Sequence, residues 1–334
     1  MNIVFLRGAI PPQNEHPEKI EYDHIDVCED MWTQLFHAIT HQLDANAIML
    51  YQGGDRIKRV DDKFVERWVP NLGKYALPMD PDIIFARGGF DYYDPFLRRF
   101  PRAKKVYYGA GRRFFPQYDF KDYDLFLVDS EKQRSKVRAM FKIPVKLFVK
   151  PAATLFQPID VEKKYDVCFM ANAQQEQIKG HRFFIKQVAN SGLSVLNLGN
   201  TKQELVMLAR DIGADITWGG WTLRKELPER ISQCRVGVTC SERGIDSCPR
   251  VIPEYLACGL PIVVTSDVHF WHEVYVNKNT GKLVGRKDFL GAIKRVLAVS
   301  NNYDTRAYYD QYLSLDVAST ALANLIRRMA GGWS

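Results

Sequence analysis

The sequence predicts an α/β protein built from two doubly wound, parallel-sheet domains. Two observations carry that prediction. Apolar, β-branched runs of strand length alternate with amphipathic runs of helix length, and the alternation stops at a proline-bounded stretch, 151–158, before starting again. Strands spaced by helices favour a parallel sheet covered on both faces. A chain of 334 residues suits two domains of ordinary size, each able to bury its own core.

In the first half, strands are expected at 3–6, 47–51, 83–86, 105–108, 125–128 and 146–149. Helical patterns fill 25–43 and 131–140, and Ser130 stands where the second needs an N-cap. In the second half, strands are expected at 167–170, 195–198, 216–218, 236–239 and 262–265. Helical patterns lie at 183–190, 202–211, 227–233 and 253–257, and the stretch 305–329 is amphipathic over one or two helices. No repeat of solenoid period and no low-complexity segment interrupts this order.

Apolar residues at 46% and charged residues at 25% are the balance of a soluble globular protein. No apolar run approaches the ~20 residues that span a bilayer. The opening Met-Asn-Ile-Val-Phe-Leu-Arg reads as a first strand and not as a signal peptide. The six cysteines form no Cys-x-x-Cys pair and show no zinc spacing. They are expected as free thiols in a reducing, cytoplasmic setting, with no metal site.

The net charge of +7 favours anionic partners weakly; its distribution says more. Arg98, Arg99, Arg102, Lys104, Lys105, Arg112 and Arg113 follow one another with no acid between them, beside Tyr107, Tyr108, Phe114 and Phe115. A second acid-free stretch runs from Lys132 to Lys150. Each reads either as a solvated basic face or as a surface for a polyanion such as nucleic acid, phosphorylated glycan or anionic membrane.

The most informative stretch is 249–265, Pro-Arg-Val-Ile-Pro-Glu-Tyr-Leu-Ala-Cys-Gly-Leu-Pro-Ile-Val-Val-Thr. Glu254 opens a short helical pattern, Gly-Leu-Pro stops it, and a β-branched run ending in Thr265 follows as a buried strand. That order sets a carboxylate near a helix start, at the strand ends where open α/β sheets bind ligands. There a carboxylate can accept both hydroxyls of a ribose while the helix N-terminus favours phosphate. The plain alternative is a helix-start carboxylate favoured by the dipole.

This stretch resembles the donor-sugar site of the group 1 (family 4) glycosyltransferases, and other patches of the second half agree in order. Lys179-Gly180 resembles the family's Lys-Gly, whose lysine contacts the donor diphosphate. Gly219-Gly220-Trp221 with Glu226-Leu227-Pro228 resembles the segment beside the nucleotide base. The run 236–241, ending in Ser241, resembles the strand that follows, and Glu273-Val274 through Gly281-Lys282-Leu283-Val284 resembles the family's closing motif. The resemblance implies the GT-B architecture: two facing Rossmann-like domains with an interdomain cleft and a terminal helix returning to the first domain. The expected divisions are 1–155 for the acceptor domain, 156–304 for the donor domain and 305–334 for the returning helical segment.

Departures accompany the resemblance. Asp246 stands where the family has a first glutamate, Ser247-Cys248-Pro249 replaces Gly-Phe-Gly, and the arginine before Lys-Gly is missing, a charge that Arg250 could supply. The form Arg-x-x-x-Glu-x-Leu-Ala-Cys-Gly is closest to the branch with the spore-maturation CgeB-like proteins. The first half resembles the family in layout only, with Gly8-Ala9-Ile10-Pro11-Pro12 after its first strand.

The implied function is sugar transfer from a UDP- or GDP-sugar, without a metal, to an acceptor hydroxyl on a glycan or on a nucleic-acid base. The donor would be held by Glu254, Lys179, Arg250, Gly220, Trp221, Ser241, Glu273 and Thr265. Asp246 would touch the transferred sugar, and Asp91 or His24 would serve as base, with Asp23 and Asp26 as rivals. A nucleotide-sugar epimerase, or a non-catalytic module binding nucleotide sugar or DNA, would use the same donor site. Oligomeric state is not encoded in any motif.

Overall fold

The computed structural model describes residues 1–7, 30–88, 93–109, 122–241 and 248–331. Its packing divides the chain into two compact units, Met1–Phe148 with Leu315–Ser334, and Val149–Ser314.

The first unit runs β1 (Asn2–Arg7), α1 (Met31–Gln42), β2 (Asn46–Gln52), β3 (Arg56–Arg59), β4 (Phe64–Val69), β5 (Ile83–Arg87), α2 (Asp94–Leu97), β6 (Lys104–Gly109), β7 (Leu125–Val128), α3 (Glu131–Met140) and β8 (Val145–Leu147). The strand order is β3-β4-β2-β1-β5-β6-β7-β8, and every pair is parallel except β3 with β4. Ile3, Val4, Phe5 and Leu6 of the inner strand β1 are fully buried, as a strand covered on both faces requires. Phe36 of α1 stacks on Phe5 with ring centroids 4.1 Å apart. Asp30 caps α1 by accepting the Thr33 amide at 2.8 Å, and Ser130 caps α3 by accepting that of Gln133 at 3.2 Å.

The second unit runs β9 (Tyr165–Met170), α4 (Glu176–Lys179), α5 (His181–Val188), β10 (Val195–Leu198), α6 (Gln203–Asp211), β11 (Ile216–Trp218), α7 (Leu227–Ser232), β12 (Cys234–Thr239), α8 (Val251–Ala257), β13 (Ile262–Thr265), α9 (His272–Tyr275), β14 (Gly281–Val284), α10 (Phe289–Ala298) and α11 (Thr305–Tyr312). Its sheet has the order β11-β10-β9-β12-β13-β14, parallel throughout. α8 presses on this sheet through Tyr255. A Cβ at Gly237 of β12 would stand 2.5 Å from that ring, so only glycine admits the packing. The last helix, α12 (Leu315–Ala330), belongs to the first unit, packs on α1, and ties Ser319 Oγ to Gln42 Nε2 at 2.9 Å.

Several expected boundaries shift. The division expected at 155/156 falls at 148/149 because residues 150–153 are buried within the second unit. There the amides of Lys150 and Ala152 bind the hydroxyls of Tyr275 and Tyr309 at 2.6 and 3.0 Å. The expected strand 146–149 is accordingly shorter, Val145–Leu147. The expected terminal segment divides: α11 stays with α8, where Arg306 donates to the Ala257 carbonyl at 2.7 Å, and α12 alone joins the first unit. The hairpin β3–β4 was not expected from sequence. Of the helix expected over 25–43, residues 25–29 lie outside the described residues. No helix among the described residues is long and apolar enough to cross a membrane.

Candidate functional site

The second sheet reverses its strand order between β9 and β12. Ligands of open α/β sheets bind beyond the strand ends at such a reversal. After β9 the chain turns at Asn172, whose side chain accepts the Gln174 amide at 3.0 Å, and then makes α4 and α5 with Gly180 between them. Gly180 has φ +74, and a Cβ there would stand 1.9 Å from the Cys240 carbonyl oxygen just past β12. This corner therefore fits against the end of β12 only as glycine, which fixes the half-buried Lys179 beside the reversal. Ser241 is buried, and its hydroxyl donates to the Ile178 carbonyl at 2.7 Å. In this structure Ser241 positions the Lys179 segment.

Glu254 lies in the first turn of α8, which starts at Val251, earlier than the expected start at Pro253. It is buried, yet its carboxylate keeps a charged partner: Oε1 accepts from Arg224 Nη2 at 3.1 Å. Arg224 belongs to the turn after β11 and lays its guanidinium over the Phe156 ring, 5.2 Å from the centroid. Among the described residues, Oε1 alone of the two carboxylate oxygens accepts a hydrogen bond. Burial, and then the negative charge of Glu254, push the Cys258 thiol well up, so that cysteine stays neutral.

Two other strand ends contribute. The loop after β11 hangs on β10: the Gly199 amide donates to Gly220, and the Gly219 amide to Asn197, both at 2.8 Å. It presents Trp221 with 56% of its surface exposed, an apolar plate open to solvent. At the end of β13, Thr265 is fully buried, and its Oγ1 has no hydrogen-bond partner among the described residues. His181 at the start of α5 resembles it: Nε2 lies 3.3 Å from the Ala171 carbonyl, while the buried Nδ1 has no partner among the described residues. Burial lowers its pKa to about 4 and keeps the ring neutral near pH 7. Glu273 is exposed on α9.

Arg224 and Arg286 were not singled out from sequence, and Lys150 was read only as the end of the second basic stretch. Buried Lys150 donates from Nζ to the carbonyl of Cys248 at 2.7 Å, and the Cys248 amide donates to His269 at 2.8 Å. These contacts hold Cys248 at φ +41, a conformation rarely adopted by a residue with a side chain. Arg286 bonds Asp267 Oδ2 at 2.6 Å and the Ser241 carbonyl at 3.3 Å, and covers the Phe183 ring at 4.4 Å. Each cation reaches elements far from it in sequence, so no local pattern reveals it.

Of the remaining expected residues, Asp246, Asp91 and His24, with Asp23 and Asp26, lie outside the described residues, as do Arg112 and Arg113. Arg250 is exposed at the N-cap of α8. Arg98, Arg99 and Arg102 precede β6, and Lys104 and Lys105 begin it, so they gather at the strand-start end of the first sheet. Lys105 is buried and donates to the Ala103 carbonyl at 3.4 Å. Lys104 pairs with Asp124 at 2.9 Å. A cavity of ≈ 720 Å³ here mixes Arg99, Arg102 and Lys104 with Asp80 and Asp82, so acids distant in sequence enter the basic stretch.

Residues 164–301 match the family described as glycosyl transferases group 1. No curated protein matches the sequence. Solved structures share the fold of the whole chain. Sucrose-phosphate synthase from Thermosynechococcus elongatus superposes with a TM-score of 0.71 at 13% identity, covering 99% of this chain and 99% of that one. The lipopolysaccharide outer core galactosyltransferase WaaB, in its apo form, gives 0.69 at 13% identity over 98% of this chain and 100% of its own. The pneumococcal O-GlcNAc transferase GtfA, in complex with UDP and GlcNAc, gives 0.55 at 13% identity over 75% of this chain and 56% of its own.

Proposed function

We propose, from the premise that the second unit is a group 1 glycosyl transferase domain in a GT-B-fold transferase, that the protein moves a sugar from UDP-sugar to an acceptor hydroxyl without a metal. The observation that carries the donor assignment is Glu254: a buried carboxylate beyond the reversal of the sheet, paired with Arg224 through one oxygen, with the other left to accept ribose hydroxyls. Trp221 offers its exposed face to the base. Lys179, with Arg250, supplies positive charge for the diphosphate. Thr265 Oγ1 and His181 Nδ1 provide further polar atoms at the same strand ends. The choice of uridine follows the UDP bound in the pneumococcal transferase.

In the reaction the acceptor oxygen attacks the anomeric carbon, the bond from that carbon to the diphosphate oxygen breaks, and UDP departs. A base takes the acceptor proton; Asp91 and His24 are the candidates for it, and Asp246 for contact with the transferred sugar. Exclusion of water limits hydrolysis of the donor.

The test is thermal stabilisation and calorimetry with UDP, GDP and their sugars, on wild type and Glu254→Gln. UDP raises Tm in the wild type by mass action. Glu254→Gln weakens UDP by roughly 10- to 100-fold, the value of one or two hydrogen bonds to a charged group, and leaves the unliganded Tm within a few degrees. Donor turnover falls with it, and a chelator does not change wild-type turnover. Equal UDP affinity in the two proteins would remove Glu254 from the donor site. Turnover of the donor with no acceptor and no hydrolysis would mark an epimerase.

A further inference from the structure

Three side chains of the first unit converge on one point that the donor site does not use. His37 and His41 stand one helical turn apart on α1, so both imidazoles leave the same face. Asp61 lies in the turn between β3 and β4. Its Oδ1 accepts the amides of Lys63 and Phe64, each at 2.8 Å, which fixes the carboxylate. Its Oδ2 is thereby presented to α1, 2.5 Å from His37 Nε2 and 2.7 Å from His41 Nε2. The two Nε2 atoms are 3.2 Å apart. The His37 ring is further set edge-on against Phe64, with centroids 5.7 Å apart and planes at 90°.

We propose that His37, His41 and Asp61 form a binding site for a divalent transition metal, zinc by its donor set, that clips the β3–β4 hairpin to α1. The three ligand atoms lie within 4.8 Å of one another. Tetrahedral zinc, with bonds of about 2.0–2.1 Å, holds its ligand atoms about 3.3 Å apart. The two imidazole nitrogens already stand near that separation, and the carboxylate oxygen reaches it by withdrawing less than about 1 Å. Two imidazoles with one carboxylate suit zinc, and disfavour calcium and magnesium, which take oxygen ligands. The side chains of His37, His41 and Asp61 are 31%, 46% and 30% exposed, so the fourth position opens to water. The amides on Oδ1 act as the outer contacts that orient a metal-binding carboxylate.

A structural role follows from the place. β3 ends the sheet and has β4 as its one neighbour, and its Ile57 is 61% exposed. A metal bound to α1 and to the turn beyond β3 would hold this edge to the body of the unit. None of the three ligands is among the proposed donor residues or the base candidates Asp91 and His24, so the clip supports the fold and takes no part in transfer.

The experiment uses full-length protein without a polyhistidine tag, stripped by chelator and titrated with zinc chloride and with cobalt chloride. The expected result is one equivalent of metal bound, a visible cobalt absorption band of a low-coordinate nitrogen–oxygen site, and a rise in Tm with zinc. His41→Gln, whose circular dichroism should match wild type, loses the cobalt band and binds zinc about a hundredfold more weakly, the share of one ligand in a structural zinc site. Asp61→Asn and His37→Gln behave likewise, and transfer activity of stripped, loaded and His41→Gln protein is the same. Uptake and Tm response that are equal in wild type and His41→Gln would overturn the proposal. So would a stripped wild-type protein that takes up neither metal, which would leave a hydrogen-bonded His–Asp–His cluster.

Discussion

The two units share a central arrangement of six parallel strands but use the polar side chains at their strand ends differently. In the first, the order turns between β1 and β5, and Arg7 at the end of β1 donates to Asp30 from its two Nη atoms, at 2.5 and 2.9 Å. Tyr51 of β2 joins the same network by donating to the buried Glu66 of β4 at 2.8 Å. Arg7 and Asp30 thus pair with each other, and Glu66 has Lys58 Nζ 3.8 Å from its second oxygen. Arg7, with burial opposing it, still holds Asp30 at a pKa of about 2, while Arg7 itself is raised. In the second unit, the strand ends keep Glu254 half-paired and leave Thr265 Oγ1 and His181 Nδ1 with no partner among the described residues. Polar atoms that are buried without partners cost stability, and they persist where a ligand completes them. The first sheet end thus has its Arg7 charge closed by Asp30, although Arg7 Nε also lacks a partner among the described residues, and the second keeps Thr265 Oγ1, His181 Nδ1 and one oxygen of Glu254 open.

The largest expected effect tests the closed end. Asp30→Ala leaves Arg7 buried without its counter-charge and removes the cap of α1. It should destabilise the protein by about 3–5 kcal/mol in urea unfolding, while UDP affinity of the folded protein stays within about twofold. A comparable loss of UDP affinity would show that the two strand ends are coupled, and the contrast between them would fail.

A smaller effect separates the units by pH. His181 titrates at about 4 when folded against 6.5 as an ordinary histidine. Between those values the unfolded chain binds the extra proton, so stability rises with pH there and is lost as pH falls from 6.5 towards 4. The loss should approach about 2–3 kcal/mol at the acid end, and Tm measured against pH should be flatter in His181→Gln. Asp30 contributes its loss lower, on falling through its own pKa of about 2, so the second unit should respond to acid first. An unchanged profile in His181→Gln would remove this distinction.

The smallest effect concerns the exposed plate. Trp221→Ala should leave unliganded stability unchanged within about 0.5 kcal/mol, as expected at a surface position. It should weaken UDP by about 1 kcal/mol, roughly fivefold, the value of one aromatic stack. Equal affinity for UDP and for pyrophosphate-containing fragments without a base, in both proteins, would take Trp221 out of the site.

Much of the fold was legible because buried parallel strands write themselves as apolar runs. Val195–Leu198 and Ile262–Thr265 appear in the structure with the bounds the sequence predicts. The hairpin β3–β4 was not legible, since Arg-Ile-Lys-Arg and Phe-Val-Glu-Arg-Trp-Val carry charges whose partners come from elsewhere. Glu66 is buried only because Tyr51 and Lys58 meet it. The proposed donor residues could be picked out where one motif carried them, as with Glu254 and Lys179-Gly180. Arg224 could not, because its role depends on α8 and on Phe156. The basic stretch illustrates the same limit: its charges are contiguous in sequence, while Asp80, Asp82 and Asp124, which temper them, are not. The His37–His41 spacing was present as His-x-x-x-His, but Asp61, the third ligand, lies on another element.

The assignment of α12 to the first unit has a consequence for how the chain is made. α12 buries Ala318, Leu322, Ala323, Ile326 and Met329, and it docks on α1, near the start of the sequence. A ribosome delivers that helix only after the whole second unit has emerged. The first sheet is therefore synthesised early while its unit stays incomplete, with the face of α1 that receives α12 open to solvent through most of translation. Domains usually fold in order as they appear; here the second unit can finish before the unit that precedes it. Stalled or shortened products would thus carry an intact second unit beside a sticky first one, and that exposed helix face is what a chaperone would meet.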